Sequence, residues 1–394
     1  MAGPGAYWFG KEEVDAVMRV IQSGHLFRYG SENDPRFLHT VADLEKAFAD
    51  YCAARFALAT SSGTSSLLAS LIALGLQPGD EVIVPAYTFV ASYSSCIFAG
   101  LVPILCEIDE SLTMNPDDIE RRITARTKAI MPVHMLGNPC DMDRIMAIAR
   151  KNRLLVLEDC CQAVGASYKN KKLGTIGDAG TYSLNVFKTI NSGDGGLVVT
   201  NDQSIYETAF GVHDQGHKPS RLGVEVGKRS VLGLNFRMNE LTAAVALAQL
   251  AKIDRIIATL RAKRSRLKEL ITNKNHFRFR TLNDPEGDCA TICTVIFECR
   301  EQAEKVSKAL GSKTVDQSGW HVYANMEHVM AHLRKLGLPY QKGAYPKTDD
   351  ILSRAMNISI GVVDGGLGAG WGININSGED EIEKAAAAFM EACA

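Results

Sequence analysis

Between about residues 55 and 200 the chain alternates short apolar runs with longer amphipathic segments. The runs are "FALAT", "EVIVPAY", "LVPILCEI", "KAIMPVHM", "LLVLEDC", "GTYSL" and "GGLVVTN". Each has strand length and is rich in Val, Ile and Leu. Strands that are apolar throughout, rather than at alternate positions, are those covered on both faces. Helix-like stretches such as 62–75 and 140–152 separate the first five runs. That order predicts βαβ crossovers and an α/β fold built on a mostly parallel seven-stranded sheet. The last two runs follow closely, so the sheet is expected to be mixed there.

After "GLNFRMNE" comes one long helical pattern, "LTAAVALAQLAKIDRIIATLRAKRSRLKELI", apolar at first and basic later. A hinge near residue 250 divides the chain into a large domain, 1–250, with an N-terminal arm, and a smaller C-terminal α/β domain, 251–394. In the latter, "CATICTVIFEC" reads as a strand, and "EQAEKVSKAL" and "EDEIEKAAAAFMEA" as amphipathic helices. A length of 394 residues supports two domains, one of them large.

Charge narrows the function classes. Forty-three Lys plus Arg against 45 Asp plus Glu leave a net charge of −2, without the basic excess that draws a protein to nucleic acid or to an anionic membrane. The N-terminus lacks a signal-peptide pattern, and no run of about 20 apolar residues is present, so a cytoplasmic protein acting on a small molecule is expected. Ten cysteines are scattered without a CxxC pair, which predicts reduced, mostly buried thiols and no metal site.

Open α/β sheets bind ligands at the carboxyl ends of their strands. Four such junctions carry chemistry. After "FALAT", the segment "SSGTSS" opens a helix whose free N–H groups suit a phosphate, although Ser61 or Ser62 could equally act as a simple cap. After "EVIVPA" come Tyr87, Phe89 and Tyr93, either core or the cover of a planar ring. After "LLVLE" comes Asp159, a carboxylate that needs a cation, a metal, a protonated heterocycle or structural donors if it is buried. Lys188 follows an apolar run in "TYSLNVFKTINSGDGGLVVT". Phe187 precedes it where a Walker loop needs glycine, so it is no phosphate-loop lysine. Its apolar neighbours favour a desolvated, nucleophilic amine over a salt bridge. One familiar cofactor uses an anion site, an aromatic cover, an acid and a lysine together: pyridoxal 5′-phosphate.

The segments "SSGTSSLLASLIALGLQPGDEVIVPAYTFVAS", "RTKAIMPVHMLG", "LEDCCQAVGASYKNKKLGTIGDAG", "YSLNVFKTINSGDGGLVVTND" and "GLNFRMNELTAAVALAQL" resemble, in order and spacing, the DegT/StrS-type sugar aminotransferases. The resemblance covers roughly residues 10–260. It implies a fold type I pyridoxal-phosphate enzyme that cycles through the pyridoxamine 5′-phosphate form, normally a homodimer with shared active sites. It also implies that Lys188 carries the cofactor as a Schiff base, that Asp159 pairs with the ring nitrogen and that Gln162 approaches the ring hydroxyl. By the same resemblance Gly63, Thr64 and Ser183 bind the phosphate, Phe89 stacks on the ring, and Asn235 reaches the phosphate of the neighbouring subunit. Arg237 is a candidate for a substrate carboxylate. Segments such as "FRYG" and "YPKTDDILSRAM" resemble the branch that aminates octulosonate-type sugar acids.

Where many members have Tyr-Pro and Leu-His, this chain has "SGWHVYANMEHV", so His321 and Tyr323 are acceptor contacts or packing. The glycine-rich "IGVVDGGLGAGWGINI" carries no assigned role. The expected reaction is transamination from glutamate or glutamine to a sugar or cyclitol carbonyl. Three alternatives stand beside it: a sugar dehydratase of the same fold, which commonly has histidine in place of the lysine; a non-catalytic protein that binds the cofactor or a nucleotide; and a nucleotide hydrolase suggested by "LLVLED", which the missing Walker loop removes.

Overall fold

The structure is a computed structural model, described for all residues except 1, 32, 220–230, 272–275 and 339. The seven apolar runs form one sheet: β1 (Phe56–Thr60), β2 (Glu81–Pro85), β3 (Val102–Cys106), β4 (Thr127–Ile130), β5 (Leu155–Asp159), β6 (Ala179–Ser183) and β7 (Gly196–Thr200). Their spatial order is β1-β7-β6-β5-β4-β2-β3. All neighbours from β6 to β3 run parallel, whereas β7 is antiparallel to both β6 and β1. The mixed end follows from chain length. A parallel crossover needs a dozen or more residues, usually a helix, and 184–195 forms a loop without one.

Strands β2, β6 and β7 are buried along their whole length, as expected for a sheet covered on both faces. Helices Gly63–Ala73 and Met142–Asn152 lie close to the positions read from sequence. Each begins at a side-chain cap, Ser62 or Asp141.

The long helical pattern after residue 240 is two helices, Glu240–Leu250 and Ile253–Leu270. The break at Ala251–Lys252 is held from outside. Lys252 donates its backbone N–H to Gln249 O at 3.0 Å, while its ammonium bonds Trp8 O at 2.9 Å and Glu13 Oε1 at 2.7 Å. The second helix leads to a three-stranded antiparallel sheet, β8 (Phe277–Phe279), β9 (Ile292–Phe297) and β10 (Ala355–Ser359). One apolar cluster runs from Val41 and Phe48 through Val156 and Tyr182 to Phe297 and Phe389. The C-terminal sheet is therefore packed onto the first, beside the carboxyl ends of β4 and β5.

Candidate active site

The junctions singled out in the sequence meet in one cavity of ≈ 600 Å³. At its floor lies Asp159, the last residue of β5 and 3% exposed. Its Oδ1 accepts the N–H of Cys161 at 3.1 Å, and its Oδ2 accepts the Ser92 hydroxyl at 2.8 Å. Since the single Ser92 proton goes to the carboxylate, the Thr88 hydroxyl, 2.8 Å away, must donate to Ser92. Among the described residues no cation pairs with Asp159. The donors described for it are all neutral, and Asp159 itself lines the cavity.

Across the cavity Lys188 sits in the loop between β6 and β7, its backbone N–H bonded to Asn185 O at 2.9 Å. It is part-buried and, among the described residues, makes no ion pair. Desolvation pushes its amine below the ordinary lysine pKa, against the opposing pull of Cys161, Asp159 and Asp364. The loop is braced by Asn185 Nδ2 donating to Asp194 Oδ1 at 3.1 Å and by Ser192 N–H donating to Leu184 O at 2.9 Å. Gly3 packs against it, its N–H on Val186 O at 2.8 Å.

The third wall is the N-terminus of the helix Gly63–Ala73. Ser62 does cap it, accepting the N–H of Ser65 at 3.1 Å, and Ser66 N–H bonds Ser62 O at 3.0 Å. The cap leaves the N–H groups of Gly63 and Thr64 without a described acceptor, so the cap read from "SSGT" is present and still leaves two donors turned out of the helix start. A Cβ at Gly63 would lie 2.7 Å from Ser183 Cβ and 3.0 Å from Cys161 Sγ, so only glycine lets the helix start approach Ser183 this closely. The Ser183 hydroxyl, also in the cavity wall, accepts the Asn185 N–H at 3.3 Å and no other donor among the described residues.

Of the three aromatics after β2, Tyr87 and Tyr93 are core residues, while Phe89 is 40% exposed and lines the cavity. Its ring lies 5.3 Å from that of His321. His321 arrives because 320–323 pairs with the segment after β2. Thr88 N–H donates to His321 O at 2.9 Å, Val90 N–H to Trp320 O at 3.0 Å, and Tyr323 N–H to Ala86 O at 3.2 Å. Burial and nearby Lys188 push the His321 pKa down to about 3, so the ring is neutral, with Nδ1 at 2.9 Å from Ser318 Oγ. Gln162 lines the same cavity.

Three sequence candidates lie elsewhere. Tyr323 is fully buried. The chain turns into a short 3-10 helix at Tyr323–Asn325, and the phenol bonds Asp349 at 3.0 Å while its ring packs on Tyr345. Its acceptor-contact reading is corrected to packing. Arg237 is engaged by Asp214 and stacks over Phe27 at 5.4 Å, outside this chain's cavity. Asn235 is exposed and also outside it. Conversely, Ser92, Trp320 and Asp364 line the cavity and were not foreseen. A serine inside an apolar helix, and residues far along the chain from Asp159, give no local signal.

One buried donor set, His134, Glu158 and Cys160, has metal-like proximity. The lone pairs of His134 and Glu158 are already used. Cys140 N–H donates to His134 Nδ1 at 3.0 Å, leaving Nε2–H for Glu158 at 3.1 Å. Glu158 also accepts the N–H groups of Gly174, Ile176 and Gly177 at 2.7–2.8 Å. Glu158 and Asp159, adjacent on β5, face opposite sides of the sheet: one pins a loop and the other serves the cavity.

The family model described as the DegT/DnrJ/EryC1/StrS aminotransferase family matches residues 9–363. GDP-perosamine synthase of Caulobacter vibrioides is 42% identical over 219 residues, 55% of this chain and 58% of that protein. L-glutamine:2-deoxy-scyllo-inosose aminotransferase of Streptomyces fradiae is 36% identical over 270 residues, 65% of this chain and 62% of that protein. The match thus spans about 60% of these relatives' own length. Among solved structures, an aminotransferase from Psychrobacter cryohalolentis superposes with a TM-score of 0.81 at 26% identity, covering 97% of this chain and 96% of that one.

Proposed function

The chain belongs to the DegT/DnrJ/EryC1/StrS aminotransferase family, and from that premise we propose that it is a pyridoxal 5′-phosphate-dependent aminotransferase. It moves an amino group from glutamate or glutamine to a keto or aldehyde group of a sugar or cyclitol. The observation that carries this reading is the donor set of one cavity. A lysine and a carboxylate that make no ion pair among the described residues, two N–H groups at a helix start without a described acceptor, and an exposed aromatic ring all line it. These match the cofactor's aldehyde, ring nitrogen, phosphate and ring face in turn.

When bound, the cofactor supplies a carbon that exchanges amines and a ring that takes up the electrons left on the donor's α carbon. This chain's residues do the rest. Asp159 holds the ring-nitrogen proton, its own orientation set by Ser92 and Cys161. Gly63, Thr64 and Ser183 would bind the phosphate, Gln162 would donate to the ring oxygen, and Phe89 would cover the ring face. Lys188 would hold the cofactor at its aldehyde carbon and yield that place to the incoming donor amine. Its amine, with basicity lowered by desolvation, would then be free to carry the donor's α proton to that carbon. The same residues would hold the pyridoxamine 5′-phosphate form while the acceptor is aminated, with Lys188 moving the proton in the opposite direction. His321, neutral, and Asp364 stand where they can hydrogen-bond acceptor hydroxyls.

Glutamine is favoured as donor by the name of the Streptomyces relative. A sugar acceptor is favoured by the perosamine relative, and an octulosonate-type sugar acid is the narrower candidate. Lys188 disfavours the dehydratase alternative. We assign the chain to a homodimer in which exposed Asn235 reaches the partner's phosphate site, with Arg237 near a substrate carboxylate there, and divide it into a cofactor-binding domain, 1–250, and a small domain, 251–394. No described helix is long and apolar enough to cross a membrane. The test is half-reaction spectroscopy. The colour of the loaded protein should bleach on adding glutamate or glutamine and return with a sugar acid, ketosugar or cyclitol from a panel. A colour unmoved by either donor contradicts the reading.

A further inference from the structure

The function of Gln162 depends on which end of its side-chain amide faces the cavity. Its Oε1 accepts the backbone N–H of Leu136 at 3.0 Å. A backbone N–H can only donate, so the amide oxygen must face Leu136 and the NH2 end is left for the cavity. That end suits an oxygen acceptor, and on the cofactor reading above the acceptor is the ring oxygen.

Leu136 is itself in a conformation that needs outside support. Its φ is 57° and its ψ 31°, the left-handed region, where a leucine stays only if its neighbours impose it. Those neighbours come from residues 280–291. Arg280 Nη1 donates to Met135 O at 3.1 Å and Nη2 to Leu136 O at 2.9 Å. Thr291 Oγ1 adds a 3.4 Å bond to Leu136 O, and Cys289 N–H donates to Gly137 O at 3.0 Å. Three consecutive carbonyls are thus gripped from the C-terminal region. Arg280 is 4% exposed and fixed in turn by fully buried Asp288, at 3.3 Å, which also binds Arg264 and the N–H of Ala290.

We infer that Arg280 is a positioning residue for the cofactor site: by gripping the carbonyls of Met135 and Leu136 it aims the Leu136 N–H, and through it the amide of Gln162. The planar fork matters. Two carbonyls and one carboxylate are met in fixed directions, which the single ammonium of a lysine cannot reproduce. Arg280 itself does not line the cavity, so it acts there through Leu136 and Gln162.

The test titrates pyridoxal 5′-phosphate into cofactor-free wild type, Arg280→Lys, Gln162→Leu and the double variant, reading the dissociation constant and the pH midpoint of the bound cofactor's absorbance. Arg280→Lys is expected to weaken binding about tenfold, the size of one hydrogen bond to a charged group, and to move the midpoint in the same direction as Gln162→Leu. In the Gln162→Leu background it should add almost nothing. An unchanged constant and midpoint in Arg280→Lys, or an effect undiminished in the double variant, overturns the inference. Thr291→Val keeps the buried Arg280–Asp288 pair intact and removes one bond to Leu136 O. It should give a smaller shift of the same sign that also vanishes with Gln162→Leu, so the question is answered even if Arg280→Lys does not fold. Failure of the wild type to bind the cofactor would instead sink the reading on which the inference rests.

Discussion

Replacing Gly63 by alanine is the smallest change that should damage the anion end of the cavity. The added methyl would sit 2.7 Å from Ser183 Cβ and 3.0 Å from Cys161 Sγ. Carbon atoms rest about 3.5–4.0 Å apart, so the helix start and Ser183 must separate by roughly 0.8 Å or more. The helix gains at most about 1 kcal/mol from alanine over glycine, less at a first-turn position, while overpacking costs about 1–3 kcal/mol. The net loss of about 1–2 kcal/mol corresponds to a fall in Tm of about 1–3 °C, since an unfolding entropy of about 2.1 cal/mol/K per residue makes each kcal/mol worth roughly 1 °C in a chain of 394 residues. Affinity should suffer more. Such a shift takes one charge-assisted hydrogen bond out of range, worth about 1.5–3 kcal/mol, and so weakens pyridoxal 5′-phosphate binding about 10–100-fold. Titration of the cofactor-free variant, with inorganic phosphate as competitor, reads this directly. An affinity within about twofold of wild type would refute the assignment of Gly63 and Ser183 to the phosphate.

Other outcomes follow from the same geometry. On the proposed function, Asp159→Asn would remove the charge assigned to the ring nitrogen, and kcat should fall about a hundredfold or more in steady-state assays; near-normal turnover contradicts its role. In the cofactor-free protein, Lys188 has a lowered pKa, so the unfolded chain binds its proton more tightly. The resulting destabilisation is fully present below the folded pKa and fades as pH rises toward the unfolded value. Lys188→Met should therefore raise the Tm of the cofactor-free protein at neutral pH, by an amount that shrinks toward pH 10; equal Tm values across that range would show the amine is not desolvated. With a pKa of about 3, His321 contributes no limb to the pH–rate profile between about pH 5 and 8. His321→Gln should lower kcat/KM for the acceptor about tenfold while leaving the shape of the profile unchanged, and loss of a limb near neutrality would contradict this.

The large sheet was legible because its strands are apolar on both faces, which leaves a continuous signal in "EVIVPAY" and "LLVLEDC". Asp159, Lys188 and Gly63 were legible as polar or small residues at the ends of those runs. What escaped depends on contacts distant in sequence. Ser92 reads as an ordinary helix serine until the fold sets it against Asp159, 67 positions on. His321 could be singled out but not separated from Tyr323. Only the pairing of 320–323 with 86–90 and the turn at Tyr323 send one ring to the cavity and the other to the core. Asp364, in a stretch without an assigned role, reaches the cavity on a loop held by Ala2. The helix break at 251–252 was hidden because the partner of Lys252, Glu13, lies at the other end of the chain.

Lys188 as the covalent amine is the centre of this account. Borohydride reduction of the cofactor-loaded protein, followed by digestion and mass analysis, tests it directly. The expected result is the reduced cofactor fixed on the peptide containing Lys188 and on no other lysine. Cofactor that remains dialysable after reduction, or that is found on a different lysine, would contradict the account.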